Sequence, residues 1–497
     1  MSGKGDAMKT FLQKICSLML AVLLVCAALP YDAQAGFEIP GVSQVQTDAG
    51  TAWVVKTLDH DYERNTYYSL RDIAMALKDT DKSFSLEVTK NAIALNPGNA
   101  YTPVGGENVP WETGEGPDTS LRRNECKING ETVSYYTLIV RLPSGYYDCF
   151  MMAADLAMIL DVGIGFPMAG SLQIDTQKSF DVSPEALEEA GYFYGVNGVL
   201  VGDAATGEVY YRYQADAPWA IASTSKLMTC LLTMEALSAG QISLEEWVTV
   251  SPAAQLLSES SDGVIPMEAG GQITVQDLLL GTLLPSSNEC ALCLAERIAG
   301  SEEAFVQRMN QRALELGLSQ AAFFNCNGLP CYTEDAIPAK RQNRMSAEDM
   351  FRLVSYLLKV YPQVTDITSL KSAVLTSLGR EVRNTNPMLS NLPGVTGLKT
   401  GTTNKAGACL VTSLTADDGT TEHDLVVIVF GSEDSVERGR VSGLLARYAL
   451  QAFYAGAGEP GEEAVQVPGN LPVHGEAAVD WILRTARKRW AADETVE

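Results

Sequence analysis

Histidine is scarce. The chain of 497 residues has three, His60, His423 and His474, too scattered to form a metal-binding pattern. Positive charge is also short: 36 Lys and Arg stand against 61 Asp and Glu, a formal net charge of −25. So acidic a chain is a poor partner for nucleic acid or anionic lipid as a whole. After Leu29 no apolar run is long enough to span a bilayer. Charged residues make up only 20%, but 46% are hydrophobic, a globular balance that excludes long disorder. This length suits two or three domains rather than one.

Ten cysteines are present, and Cys16 and Cys26 lie in the N-terminal apolar run. Cys290-x-x-Cys293 together with Cys326 and Cys331 has the outline of a zinc set. Cys290 and Cys293, however, fall inside an apolar helical run, where cysteine serves as a small hydrophobe. No metal and no cofactor is expected. The spacing of Cys326 and Cys331 permits a disulfide in an oxidising compartment but does not require one.

The N-terminus has three parts. Lys9 and Lys14 supply a basic region, Ile15 to Leu29 an uncharged apolar run, and Ala33-Gln34-Ala35 small residues for cleavage. That pattern predicts a secretion signal over 1–35 and an exported mature chain. The run is short for a membrane anchor.

From 36 to 180, short alternating apolar runs are separated by Gly, Pro and Asn. Asp72-Ile73-Ala74-Met75-Ala76-Leu77 matches Asp155-Leu156-Ala157-Met158-Ile159-Leu160, so a weak internal repeat is present. Each copy reads as a short helix after aromatic residues. A strand-like stretch follows, Phe84 to Leu95 in the first copy, and Lys127 to Val133 reads as strand-turn-strand. The pattern resembles the two-fold stalk module first described at the N-terminus of copper amine oxidases. It implies a structural spacer and no chemistry.

A second domain is expected over 185–456. Val199-Leu200-Val201 and Val209-Tyr210-Tyr211 flank Asp203-Ala204-Ala205-Thr206-Gly207 as a β-hairpin. Helical patterns fill roughly 222 to 360. Strand patterns return at Ala408 to Leu414 and Asp424 to Phe430, and a long helix runs from Ser435 to Tyr454. Strands at both ends predict an α+β fold: one antiparallel sheet with helices on its faces and a helical subdomain. Residues 457–476 read as a linker. The pattern over 477–490 predicts an amphipathic helix with Trp481, Ile482 and Trp490 beside Arg484, Arg487, Lys488 and Arg489, suited to packing or to peripheral membrane contact.

Three short motifs carry chemistry. In Ser223-Thr224-Ser225-Lys226 the serine opens an apolar helix and the lysine lies three residues on, on the same face. A serine hydroxyl needs a base to become a nucleophile. A lysine can be that base only if burial or a second cation lowers its pKa. Ser286-Ser287-Asn288 sits between two helical runs broken by Pro285. There Ser286 can relay a proton, and Asn288 can hold a carbonyl or orient the lysine; a plain helix cap is the simpler reading. Lys399-Thr400-Gly401-Thr402 has strand character. Lys399, Thr400 and Thr402 offer charge and donors for a carboxylate, and Gly401 lets backbone approach a ligand. Each motif alone means little.

Together, in this order and at these separations, they match the motif set of penicillin-binding proteins and class A β-lactamases. Residues from about 190 to 455 resemble the low-molecular-mass penicillin-binding D-alanyl-D-alanine carboxypeptidases. The likeness extends to Asp203–Val209, Ala222–Thr229, Leu284–Asn288 and Gly394–Gly407. Phe324-Asn325 with Gly328-Leu329 is similar to the family's Asn-x-x-Gly-Leu segment, although Cys326, Asn327 and Cys331 depart from it. Arg344-Met345 stands where His-Tyr is common.

The resemblance implies a β-lactamase/DD-peptidase-like domain, preceded here by the smaller repeat-containing α+β domain, in an enzyme acting outside the cytoplasm, in the wall or on the outer face of the membrane. Ser223 would be the nucleophile, Lys226 its base and Ser286 the proton relay. Asn288, Lys399, Thr400, Gly401 and Thr402 would bind the substrate. Peptidoglycan stem peptides are the implied substrates and β-lactams the implied covalent inhibitors. No Glu-x-x-Leu-Asn lies between Asn288 and Lys399, which speaks against a β-lactamase. An endopeptidase using the same site and a lapsed wall-binding protein are the alternatives.

Overall fold

The computed structural model describes residues 38–456, except 49, 61–64, 112–121, 143–144, 166–170, 190–191, 194, 332–340 and 418. The expected leader over 1–35, the linker from 457 and the helix at 477–490 lie outside the described residues. The chain divides into two compact units, residues 1–180 and 181–497.

The first unit is a ten-stranded sheet in the order β4-β5-β6-β7-β8-β3-β2-β1-β10-β9. Its first half supplies β1 (Glu38–Thr47), β2 (Ala52–His60), β3 (Asn65–Ser69), helix α1 (Leu70–Leu77), β4 (Phe84–Val88) and β5 (Ile93–Pro97). Its second half supplies β6 (Arg122–Ile128), β7 (Glu131–Arg141), β8 (Tyr147–Met152), helix α2 (Ala153–Leu160), β9 (Gly163–Gly165) and β10 (Ser171–Asp175). The order is symmetric about the antiparallel β3–β8 pair. Each half places its last hairpin beside the other half's first strand, β5 parallel to β6 and β10 parallel to β1. The repeated hexapeptides are the cores of α1 and α2.

Below α1 the first unit buries charge. Asp72, fully buried, accepts from Lys56 Nζ at 2.7 Å, Lys56 N at 2.7 Å and Asn108 N at 2.7 Å. Lys56 Nζ also donates to Gly106 O at 3.1 Å. A buried ion pair survives only when its remaining hydrogen bonds are satisfied. Here a loop strapped across the pair satisfies them.

In the second unit a short helix, Pro184–Glu189, precedes β11 (Gly198–Asp203) and β12 (Val209–Tyr213). Asp203 closes their turn by accepting from Ala205 N at 2.8 Å and Thr206 Oγ1 at 2.9 Å. Six short strands follow: β13 (Trp219–Ala220), β14 (Trp247–Thr249), β15 (Gln272–Thr274), β16 (Arg344–Met345), β17 (Ser372–Leu375) and β18 (Arg380–Arg383). They form three ribbons, β13 with β16, β14 with β15 and β17 with β18. The last described strands are β19 (Val395–Thr403), β20 (Gly407–Asp417) and β21 (Glu422–Ser432), and the main sheet runs β12-β11-β21-β20-β19.

Every residue from Leu425 to Phe430 is buried. A strand apolar on both sides is covered on both faces. The last helix, Ser435–Ala455, packs on this sheet, and so does Ala347–Val360. The sheet is antiparallel throughout, and the fold is α+β.

The helical middle consists chiefly of α3 (Lys226–Ser238), α4 (Val275–Leu283), α5 (Asn288–Ala299) and α6 (Glu302–Glu315). Side-chain oxygens cap the last three: Thr274 accepts from Asp277 N, Ser287 from Cys290 N and Ser301 from Ala304 N. Among the described residues no helix is long and apolar enough to cross a membrane, and no group of ligands could hold a metal. Cys326 and Cys331 are both free.

Candidate active site

The apolar run Leu227–Leu232 drives α3 into the core, and the site begins where that helix enters. Ser223 sits in a 3-10 turn, Ala222–Ser225, that feeds directly into α3 at Lys226. Ser223 thus precedes the α-helix rather than occupying its first turn. Ala222 takes φ +47°, and the Ala222 carbonyl accepts from Ser225 Oγ at 2.7 Å.

Lys226 is fully buried. Its Nζ contacts Ser223 Oγ at 2.9 Å, Asn288 Oδ1 at 2.7 Å and Asn327 O at 2.9 Å. Burial lowers its pKa to about 7, partly opposed by Cys326, Glu289 and Cys290. The amine is therefore poised between charged and neutral near pH 7, with a serine hydroxyl in reach of its lone pair.

The second motif divides its labour. Ser287 is buried and caps α5. Ser286 takes φ +68°, which turns it away from the helix. Its side chain makes no hydrogen bond among the described residues and is partly exposed. Asn288 is nearly buried and donates Nδ2 to Asp262 O at 2.8 Å, which leaves Oδ1 facing Lys226.

The third motif lies on β19, an edge strand of the main sheet. Its glycine has a geometric reason: a Cβ on Gly401 would stand 2.8 Å from Ser223 N and 2.9 Å from Thr224 N. The strand therefore runs directly over the Ser223 turn. Lys399 is buried, and its Nζ donates to Thr400 O at 3.1 Å. Burial first, then the cations Lys226 and Arg438, hold its pKa well below the ordinary lysine value. Thr400 is nearly buried and its hydroxyl meets that of Thr385. Thr402 is exposed, and its Oγ1 accepts from Arg438 Nη1 at 3.2 Å.

Three contributors were not visible in the sequence. Asn327 and Asp262 act through backbone carbonyls, which no side-chain pattern reports. Arg438 reaches Thr402 from the last helix, 36 residues on. The Asn-x-x-Gly segment was a usable signal for the first. Asn325 Oδ1 accepts from Gly328 N at 2.7 Å, and a Cβ on Gly328 would lie 2.0 Å from Ala222 O. That loop is thus pressed against the Ser223 turn.

A serine hydroxyl hydrogen-bonded to a buried lysine of lowered pKa, beside an open strand edge, defines a serine acyl-transfer site of the Ser-x-x-Lys type. A family model described as D-alanyl-D-alanine carboxypeptidase matches residues 196–434. The D-alanyl-D-alanine carboxypeptidase DacF of Bacillus subtilis is 37% identical over 236 residues, 47% of this chain and 56% of that protein. The D-alanyl-D-alanine endopeptidase of Pseudomonas aeruginosa is 31% identical over 251 residues, 48% of this chain and 74% of that protein. A solved structure titled a peptidoglycan synthesis regulatory factor (PBP3), from Streptococcus pneumoniae, is 34% identical with a TM-score of 0.48. It is matched over 51% of this chain and 71% of its own. The chain belongs to the D-alanyl-D-alanine carboxypeptidase family. It spans 56% and 61% of the lengths of two of its curated relatives, from B. subtilis and Escherichia coli.

Proposed function

We propose that the protein is an exported serine D-alanyl-D-alanine carboxypeptidase that removes the terminal D-alanine from peptidoglycan stem peptides. The observation that carries this is the 2.9 Å contact between Ser223 Oγ and a buried Lys226 whose pKa lies near 7. Ser223 Oγ attacks the carbonyl carbon between the last two D-alanines, and its proton passes to Lys226 Nζ. The N–H groups of Ser223 and Thr402 receive the oxyanion. The C–N bond then breaks, and Ser286, whose hydroxyl is not tied up elsewhere, delivers a proton to the departing amine. Lys399, Thr400 and Thr402 hold the terminal carboxylate, with Arg438 behind Thr402. Gly401 lets the substrate strand pair with β19. Water hydrolyses the acyl-serine.

Family membership and the carboxypeptidase names of the relatives support this reading. β-Lactams, which carry a strained amide and a carboxylate, are the expected covalent inhibitors. The similar penicillin-binding protein D2 of Listeria monocytogenes has a structure in its ampicillin-bound form, at 28% identity. The basic segment 477–490 would hold the enzyme at the membrane surface after export.

An endopeptidase is the second reading, favoured by the P. aeruginosa relative, which this chain covers to 74%. Mass spectrometry of muropeptides separates the two. Loss of one alanine from a pentapeptide monomer is expected. Cleavage of a cross-linked dimer with an untouched monomer would mean endopeptidase, and no change in either would end both readings.

A further inference from the structure

Glu289 follows Asn288 in α5 and is fully buried. Its Oε1 accepts from Val264 N at 3.0 Å and from Ile265 N. Its Oε2 has no partner and is shielded from solvent. A carboxylate with an unsatisfied buried oxygen is costly, so it calls for an explanation beyond packing.

The loop it grips supplies one. Residues 259–267 leave the helix Pro252–Ser258 and return to the core at Ile265 and Met267. Between these roots the loop is exposed at Asp262. The Asp262 carbonyl accepts from Asn288 Nδ2 at 2.8 Å, and the opposite end of that amide, Oδ1, meets Lys226 Nζ at 2.7 Å. The carbonyl reinforces this orientation: turning the amide would set donor against donor at the lysine and acceptor against acceptor at Asp262.

We infer that Glu289 is a positioning residue: by tying the loop at Val264 and Ile265 it holds the Asp262 carbonyl in place, and so keeps the Asn288 oxygen directed at the Lys226 amine. This rests on the reading of Lys226 as the base.

Glu289 also acts on Lys226 through charge. The titratable groups that face the lysine are Cys326 from the 324–328 loop, Glu289 and Cys290 from α5, and Lys399 from β19. Glu289 and the two cysteines favour the charged amine against burial.

The test is acylation by a fluorescent penicillin between pH 5 and 9, normalised to titrated active sites, with hydrogen exchange of residues 259–267. Glu289→Ala should acylate about 100-fold more slowly and exchange faster at Val264 and Ile265. Glu289→Gln keeps an acceptor and the shape but loses the charge. Its loop should stay protected, its plateau rate should fall roughly tenfold, and its acid limb should move to lower pH. If Glu289→Ala does not fold, Glu289→Asp, whose shorter side chain draws the acceptor back from Val264 N and Ile265 N, is read in the same two ways. A wild-type rate per site in a folded Glu289→Ala or Glu289→Asp protein, or unchanged protection of residues 259–267 in it, would overturn the inference. A wild-type protein that takes up no penicillin would instead end the acyl-serine reading, and this inference with it.

Discussion

Gly401 on the edge strand lies against the backbone of Ser223, so closely that a Cβ there would stand 2.8 Å from the Ser223 nitrogen. Any side chain must push the strand and the Ser223 turn apart. Gly401→Val should reduce the rate of penicillin acylation by about 100-fold, the order expected for displacement by an ångström. Stopped-flow fluorescence measures it. A variant that acylates at the wild-type rate would show that the two segments need not touch.

The pH profile follows from Lys226. Its pKa falls from the ordinary lysine range to about 7 on burial. The protonated amine cannot accept the Ser223 proton, so kcat/KM should fall as pH drops below about 7 and level off above it. A profile flat from pH 5 to 8 would contradict Lys226 as the base.

Stability carries the same signature with a definite sign. Between about 7 and the unfolded lysine value, the unfolded chain holds a proton on residue 226 that the folded chain lacks. The contribution of Lys226 to stability should therefore rise across that window. Equilibrium denaturation at pH 7 and pH 9 checks it against Lys226→Met, in which the rise should shrink. An identical rise in the variant would mean that other groups cause it.

Lys399→Ala removes a buried amine from the strand that would bind the carboxylate. Acylation by benzylpenicillin should weaken by about 100-fold, the scale for losing one donor of such a site, with little change for its methyl ester. Equal losses for both probes would remove the anchoring role.

In the first unit, Asp72→Ala leaves the buried Lys56 amine without its carboxylate. Breaking such a pair costs about 3–5 kcal/mol. Hydrogen exchange over residues 65–77 should accelerate accordingly. Unchanged protection would mean that the strapped loop alone holds α1.

Much of this was readable in the chain. The hairpin at Asp203, the long central strand and the last helix follow from patterns local enough to survive folding. The three motifs were visible because side-chain identity carries them. The site's remaining parts are not of that kind. The Asn327 and Asp262 carbonyls belong to the backbone, and Arg438 reaches Thr402 only after the sheet has closed. The sequence singled out Ser286 but did not show that its neighbour Ser287 is the cap of α5, nor that Ser286 takes a positive φ. In the first unit the hexapeptide repeat marked the two helices. The exchange of hairpins between halves was hidden, because parallel pairing of β5 with β6 and of β1 with β10 leaves no local signal.

The most direct measurement is intact-protein and peptide mass spectrometry after incubation with penicillin. One penicilloyl group should be found, on the peptide containing Ser223, and none on a folded Ser223→Ala protein. An adduct on any other residue, or labelling that persists in Ser223→Ala, would contradict Ser223 as the nucleophile.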